Sequence, residues 1–133
     1  MSEIETVVAG IRDMYDAFLA ADRERFDSHL AADTTTWESH FPTMYTRQML
    51  DEYRDRRTSA ERPNLLELSV DVQRAEIWGD TALVAYLLTA VPHEGDVELS
   101  RVTEVMRRFD DGSWRIVHHH SELCASVTEE VAA

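Results

Sequence analysis

The hydrophobic positions of the first twenty residues repeat with the period of an α-helix. Ser2 and Glu5 have the spacing of a capping box, and the apolar residues that follow them recur every three or four positions. This pattern predicts an amphipathic helix near residues 3–20. Tyr15 is the polar group on its buried stripe, so it is a candidate ligand contact as well as a core tyrosine.

Two further helices are predicted before the main sheet. Asp22 caps a short second helix that ends near Ala32. Thr46 caps a third helix at about residues 47–59, which places Met49 and Leu50 on its inner side.

A β-branched and aromatic run at residues 34–41 predicts a strand, which Pro42 ends. On a regular strand Glu38 and His40 share one face and Trp37 lies on the other. We therefore expect Glu38 and His40 to meet a ligand together, or to form an exposed polar face.

The chain after Pro63 alternates like a meander of long strands. The alternation changes phase near Gln73 and Arg74, which predicts a β-bulge there. Residues 81–91 are apolar on both faces, so the predicted strand needs helices on one side and a second cover on the other. We expect that cover to be a second copy of the chain in a homodimer.

The last strand follows a turn at residues 110–112 and carries three consecutive histidines. If the strand is regular, Trp114, His118 and His120 share one face with Ile116, and His119 lies on the other. Two imidazoles and an indole on one face indicate a cavity wall that binds a polar group.

The register of this last hairpin decides which groups face each other. A two-residue loop pairs Thr103 with His120, whereas a three-residue loop at residues 111–113 pairs Glu104 with His120. The second register is favoured slightly, because it leaves a charged arginine off the histidine face. Arg101 then lies on the face opposite Glu104, unless a bulge intervenes.

The order helix, helix, strand, helix and four antiparallel strands predicts a single α+β domain over residues 1–133. The run from Asp111 to Ser121 also resembles the final strand of nuclear-transport-factor-2-like proteins. It is most similar to the SnoaL-like branch and to the association (hub) domain of calcium/calmodulin-dependent protein kinase II. The family pattern is Asp-Gly-x-Trp-x-x-x-His-x-His-x-Ser, and only the final spacing departs from it here, because Ser121 directly follows His120. The resemblance implies a cone, in which three N-terminal helices pack on a curved, mostly antiparallel sheet that encloses a pocket.

The amino-acid composition argues against several classes of binding partner and of catalytic chemistry. The formal net charge of −13 disfavours nucleic acid and anionic membranes as partners. All 13 basic residues are arginine, so lysine Schiff-base chemistry and a Walker-type phosphate loop are excluded. The single cysteine, Cys124, cannot form an internal disulfide. No signal pattern or membrane-length apolar run is visible, so we expect a cytoplasmic protein without a cofactor.

The resemblance implies a pocket for a small, partly apolar ligand that carries a carbonyl or a carboxylate, with acid–base isomerase or cyclase chemistry. His120 is the expected base or donor, oriented by Glu104 or Glu38. The other expected ligand contacts are His118, Trp114, Trp37, His40, Tyr15 and Arg101. The alternatives are a non-catalytic association module like the kinase hub, a metal site on His118 and His120, and core histidines that serve only the fold.

Overall fold

The computed structural model describes residues 1–58 and 62–127. Its elements in chain order are α1 (Glu3–Leu19), α2 (Arg23–Asp27), β1 (Leu30–Glu38), β2 (Tyr45–Thr46), α3 (Arg47–Arg56), β3 (Leu65–Trp78), β4 (Thr81–Pro92), β5 (Val97–Arg108) and β6 (Trp114–Val127). The predicted α+β class and the three N-terminal helices are confirmed. None of the described helices is both long enough and apolar enough to cross a bilayer.

The six strands form one curved, open sheet in the order β2-β1-β6-β5-β4-β3. Strands β3 to β6 are an antiparallel meander, as predicted, and β1 joins the sheet parallel to β6. The sheet is therefore mixed. The parallel pairing brings the Thr34–Glu38 segment next to the three histidines.

The core lies between α1 and the concave face of the sheet. The capping box of Ser2 and Glu5 is present, and α1 buries an apolar stripe against the sheet. The buried core residues are Val7, Ile11, Met14, Tyr15, Leu30, Ala82, Val84, Tyr86, Val102, Met106 and Ile116. All of them come from α1 or from one face of the sheet, so they identify the inward face of β1, β4, β5 and β6.

Two predicted boundaries are wrong. The second helix ends at Asp27 rather than Ala32, and the first strand begins at Leu30. The reason is tertiary: the carbonyl of His29 accepts a hydrogen bond from the backbone N–H of Ile116 at 2.8 Å, which brings the chain into the sheet early. The third helix ends at Arg56, and its predicted last residue, 59, lies outside the described residues.

The bulge predicted near Gln73 is confirmed by a register shift between Val72 and Arg74. A second bulge, between Ile116 and His118, was not predicted. The second bulge changes which side of β6 the histidines occupy. The assignment of the three histidines in the candidate site depends on it.

Candidate functional site

The bulge in β6 places His119, rather than His118 and His120, on the concave face. Ile116 is fully buried, and one residue of the bulge is skipped before the pairing resumes at His118. His119 therefore continues on the side of Ile116, opposite Glu104 on β5. The slightly favoured pairing of Glu104 with His120 is wrong, and the alternative pairing of Thr103 with His120 is the one observed.

The concave face encloses a cavity of about 750 Å³. Its apolar lining comes from α1, α2 and α3 and from β3 and β4. Its polar lining comes from β1 and β6, and also from Asp22, Glu98, Ser100 and the arginines at positions 23, 54, 57 and 62. The polar residues of β1 and β6 that line it are Thr34, Thr36, Glu38, His119 and Ser121. A largely apolar cavity with a small polar wall is the usual form of a small-molecule site.

A chain of hydrogen bonds runs behind this polar wall. The hydroxyls of Tyr15 and Tyr86 lie 2.6 Å apart, and the Tyr86 hydroxyl donates to Oε2 of Glu104 at 2.7 Å. Because the Tyr86 proton is used on Glu104, Tyr15 is the donor in the first bond. Oε1 of Glu104 lies 2.7 Å from Nδ1 of His119, which completes the path.

Both ends of this hydrogen-bonded chain of Tyr15, Tyr86, Glu104 and His119, called the relay below, reach the same cavity. Tyr15 lines it at one end and His119 at the other, whereas Tyr86 and Glu104 lie behind the wall. Glu104 has no exposed surface, so its carboxylate depends wholly on these two partners. Glu38 lies beyond His119, with its Oε1 3.7 Å from Nε2 of the imidazole.

The two carboxylates hold a proton on His119. Burial on its own would lower the pKa of the imidazole, but the charge and hydrogen bond of Glu104, with the charge of Glu38, raise it to about 10. His119 is therefore an imidazolium at neutral pH. Its Nδ1–H is used on Glu104, and the 3.7 Å separation from Glu38 is too long for a hydrogen bond, so its Nε2–H is available to an acceptor in the cavity.

The neighbouring groups respond to the same charges. Burial opposes ionisation of Glu38, yet the nearby positive charge of His119, with smaller effects from His40 and Arg57, lowers its pKa. Burial and the charge of Glu104 raise the pKa values of Tyr15 and Tyr86 well above their usual value. The two tyrosines of the relay are therefore neutral, His119 is cationic, and the neighbouring Glu38 is ionised.

The structure brings some predicted site residues together and separates others. Tyr15, Glu38 and His40 line the cavity, and Glu104 supports its wall. The remaining expected contacts do not line it; they are His118, His120, Trp114, Trp37 and Arg101.

The physical reasons for these corrections are local. His118 and His120 lie on the outward face because of the bulge, where His118 bonds Thr35 at 2.7 Å and His120 pairs with Trp37. Burial, with the charges of its histidine neighbours, lowers the pKa of His118.

Trp114 comes before the bulge and packs at the edge of the core beneath Arg108. Arg101 is exposed near Glu122, on the face opposite Glu104. Within residues 1–58 and 62–127, no group of three histidine, cysteine or acidic side chains is placed to hold a metal ion.

Sequence reasoning missed His119, Tyr86 and Thr34. A usable signal existed for His119: Glu104 alternates in phase with Val102 and Met106, which marks Glu104 as inward-facing. The shorter-loop register then puts His119 opposite it.

Comparison with known proteins agrees with this architecture. A family profile described as the SnoaL-like domain matches residues 7–125. The chain belongs to the SnoaL-like domain family. A sequence comparison with curated proteins finds no match.

Several solved structures share the fold. A ketosteroid isomerase-like protein from Erwinia carotovora atroseptica has a TM-score of 0.72 at 12% identity, covering 93% of this chain and 98% of that one. The CaMKII hub from S. rosetta has a TM-score of 0.76 at 17% identity, covering 93% and 98%. An NTF2-like protein from Cytophaga hutchinsonii has a TM-score of 0.76 at 16% identity, covering 93% and 100%. The resemblance to nuclear-transport-factor-2-like proteins is thus confirmed for the fold.

Proposed function

We propose that this SnoaL-like domain binds a small, partly apolar carbonyl compound in its cavity and acts on it by acid–base chemistry of the isomerase or cyclase type. The observation that carries the proposal is the position of His119. A cationic imidazole with one available N–H lies beside an ionised carboxylate, Glu38, on the wall of a largely apolar cavity. The ketosteroid isomerase-like neighbour supports it at the level of the fold.

The roles follow from the charges. A ligand carbonyl oxygen accepts a hydrogen bond from Nε2 of His119, which stabilises negative charge as it develops on that oxygen. Glu38, beside it, takes the proton from the carbon next to the carbonyl and returns it at another position. Glu104 and Tyr86 keep His119 protonated and oriented, so they are positioning residues. The sequence assigned His120 the role of base or donor; we propose instead that Glu38 is the base and His119 the donor.

A thermal-shift screen with cyclic and aryl ketones tests the binding half of this proposal. A ligand at about 100 times its dissociation constant should add about 2.7 kcal/mol to the free energy of unfolding. His119→Gln should lose the ligand-induced shift relative to its own baseline, and the matched variant His120→Gln should keep it. Equal shifts in both variants would contradict the assignment of His119.

A second candidate function is self-association without catalysis, and the outward face of the sheet supports it. Paired positions place Trp37, His120, Thr103 and Ala85 in one row across the strands. Trp37 is 44% exposed, and Leu87 on the same face is 37% exposed. We propose that a second copy of the chain covers this face to form a homodimer. Burial of such apolar groups is the usual driving force of association.

A further inference from the structure

Glu38 lies between two histidines that differ in their access to solvent. Its Oε1 faces His119, whose Nε2 lies 3.7 Å away, and its Oε2 faces His40, whose Nε2 lies 3.9 Å away. The His119 side chain is 14% exposed, whereas the His40 side chain is 60% exposed. The proposed base therefore has a buried imidazole on one side and a solvent-exposed imidazole on the other.

A turn and two aromatic rings place His40 beside Glu38. Strand β1 ends at Glu38, and His40 lies in the turn that follows it. The His40 ring packs edge-on against the buried ring of Phe41, with the ring centres 4.5 Å apart, and lies 6.1 Å from the ring of Tyr53. These contacts hold the imidazole next to Glu38, and both residues line the cavity.

The basic neighbours of Glu38 differ in their ability to exchange protons with water. Although burial opposes ionisation of Glu38, the charges of His119, His40 and Arg57 lower its pKa, so all three act on the same carboxylate. An arginine side chain keeps its proton in proteins. His119 also keeps its proton at neutral pH, because Glu104 and Glu38 raise its pKa to about 10 despite its burial. Histidine is the side chain best suited to take up and release protons near neutral pH. Of these three groups, His40 is therefore the one that can pass a proton between Glu38 and the solvent.

A ligand in the cavity would leave His40 as the contact of Glu38 with water. The Glu38 side chain is 35% exposed and lines the cavity, so a bound ligand covers the surface through which water reaches it. The 3.9 Å separation between Glu38 and His40 exceeds a hydrogen bond by about 1 Å. Exposed side chains change rotamer within nanoseconds, so a small rotation of His40 brings the two atoms into contact.

We propose that His40 exchanges the proton held by Glu38 with solvent during turnover, so that the proton returned to the ligand comes from water. When the C–H bond next to the carbonyl breaks, its electron pair moves toward the carbonyl oxygen, which His119 holds as an enolate, and the proton passes to Glu38. Oε2–H of Glu38 then donates this proton to Nε2 of an unprotonated His40, and the resulting imidazolium releases a proton to water. The reverse transfer reloads Glu38, which protonates the enolate at the new carbon. His40 acts through Glu38 and is a positioning residue. This inference rests on the proposed function and adds the proton route of the same site.

The isomerisation of cyclohex-3-en-1-one to cyclohex-2-en-1-one in deuterated buffer tests this route. The reaction removes a proton from the carbon between the ketone and the double bond and adds one at the far end of that double bond. We expect the wild type to add mainly deuterium there, measured by NMR at low conversion, and His40→Gln to add mainly the original proton. The ratio of deuterium to protium in the added hydrogen should fall about tenfold or more in His40→Gln, because a positioned group accelerates proton transfer by about 100-fold.

His93→Gln is the matched control, because His93 is an exposed histidine in the loop between β4 and β5 and does not line the cavity. It should leave the isotope ratio unchanged. Imidazole added to His40→Ala should restore the deuterium, because the free base can enter the space that the side chain leaves. A purely structural role for His40 would change the melting temperature or the rate of isomerisation without changing the isotope ratio.

The outcomes separate this route from the proposed function. If the protein accelerates the isomerisation and Glu38→Gln abolishes that acceleration, but His40→Gln keeps the wild-type isotope ratio, the His40 route is wrong and the proposed function stands. A wild type that adds mainly the original proton also overturns the route, because Glu38 then returns the proton that it took. If the wild type does not accelerate the isomerisation, the proposed function fails and the route fails with it.

Discussion

Glu104 on β5 and His119 on β6 are register partners whose side chains meet at 2.7 Å on the concave face of the sheet. Glu104 is fully buried and the His119 side chain is 14% exposed, so water competes little with this contact. Glu104 faces inward because it alternates in phase with Val102 and Met106, and His119 faces inward because β6 bulges after Ile116. The charge of the cavity wall at His119 therefore depends on the bulge in β6.

Removing one partner of this pair should cost more stability than a surface substitution. Glu104→Gln keeps the shape but removes the buried charge that faces His119 and Tyr86. We expect the free energy of unfolding to fall by about 1–3 kcal/mol, measured by urea denaturation. Glu122→Gln, at an exposed position of β6, is the control and should stay within about 0.5 kcal/mol of the wild type.

The raised pKa of His119 predicts a specific pH dependence. Its pKa rises from 6.5 to about 10 on folding, so the stability it contributes is full below about pH 6.5 and is lost as pH rises through about 10. We expect the free energy of unfolding to decline across that window, and to decline less in Glu104→Gln. Ionisation of Tyr15 and Tyr86 adds to the loss only near and above their usual pKa of 10.0. A wild-type profile that stays flat between those limits would contradict a cationic His119.

The two relay tyrosines should differ in their contributions. Tyr86→Phe removes a hydrogen bond to the charged carboxylate of Glu104 and should cost about 2 kcal/mol. Tyr15→Phe removes only a bond between two neutral hydroxyls and should cost about 1 kcal/mol. Urea midpoints of the two variants check the order. The reverse order would mean that Glu104 does not accept its proton from Tyr86.

We predict that the exposed apolar groups on the outward face of the sheet hold two chains together as a homodimer. The wild type should sediment at twice the chain mass of 15.3 kDa, and Leu87→Glu should shift it toward the single-chain mass. A charge placed in the middle of an apolar interface disfavours association because it is left buried without a partner. Leu19→Glu, which adds the same charge at an equally exposed leucine of α1 away from this face, is the matched control. A wild type that sediments as a single chain would overturn the homodimer proposal.

The fold could be predicted from the chain because its signals are periodic and local. The capping box of α1, the phase change near Gln73 and the spacing of the final turn each appear in the sequence and in the structure. The start of β1 could not be predicted, because β1 begins where it pairs with β6, which lies about 85 residues later in the chain.

The site was harder to predict because the alternation of side chains along β6 decides which histidines face the cavity. On a regular strand His118 and His120 face inward, and a single bulged residue exchanges them for His119. The sequence does not reveal this exchange, because either alternation of three consecutive histidines places an imidazole on the cavity face. Glu38 and Tyr15 were found because β1 and α1 are regular where those residues lie, whereas His40 lies in the turn that follows β1.

The central claim is that Glu38 and His119 act together on a carbonyl compound in the cavity. Its most direct test is the rate of hydrogen–deuterium exchange at the carbon next to the ketone of 4-oxo-4-phenylbutanoate, followed by proton NMR in deuterated buffer. We expect the protein to accelerate the exchange, and Glu38→Gln to reduce that acceleration by about 100-fold, the contribution typical of a general base. His120→Gln should leave the rate unchanged. Exchange no faster than in buffer, or equally fast in Glu38→Gln, would contradict the proposed chemistry.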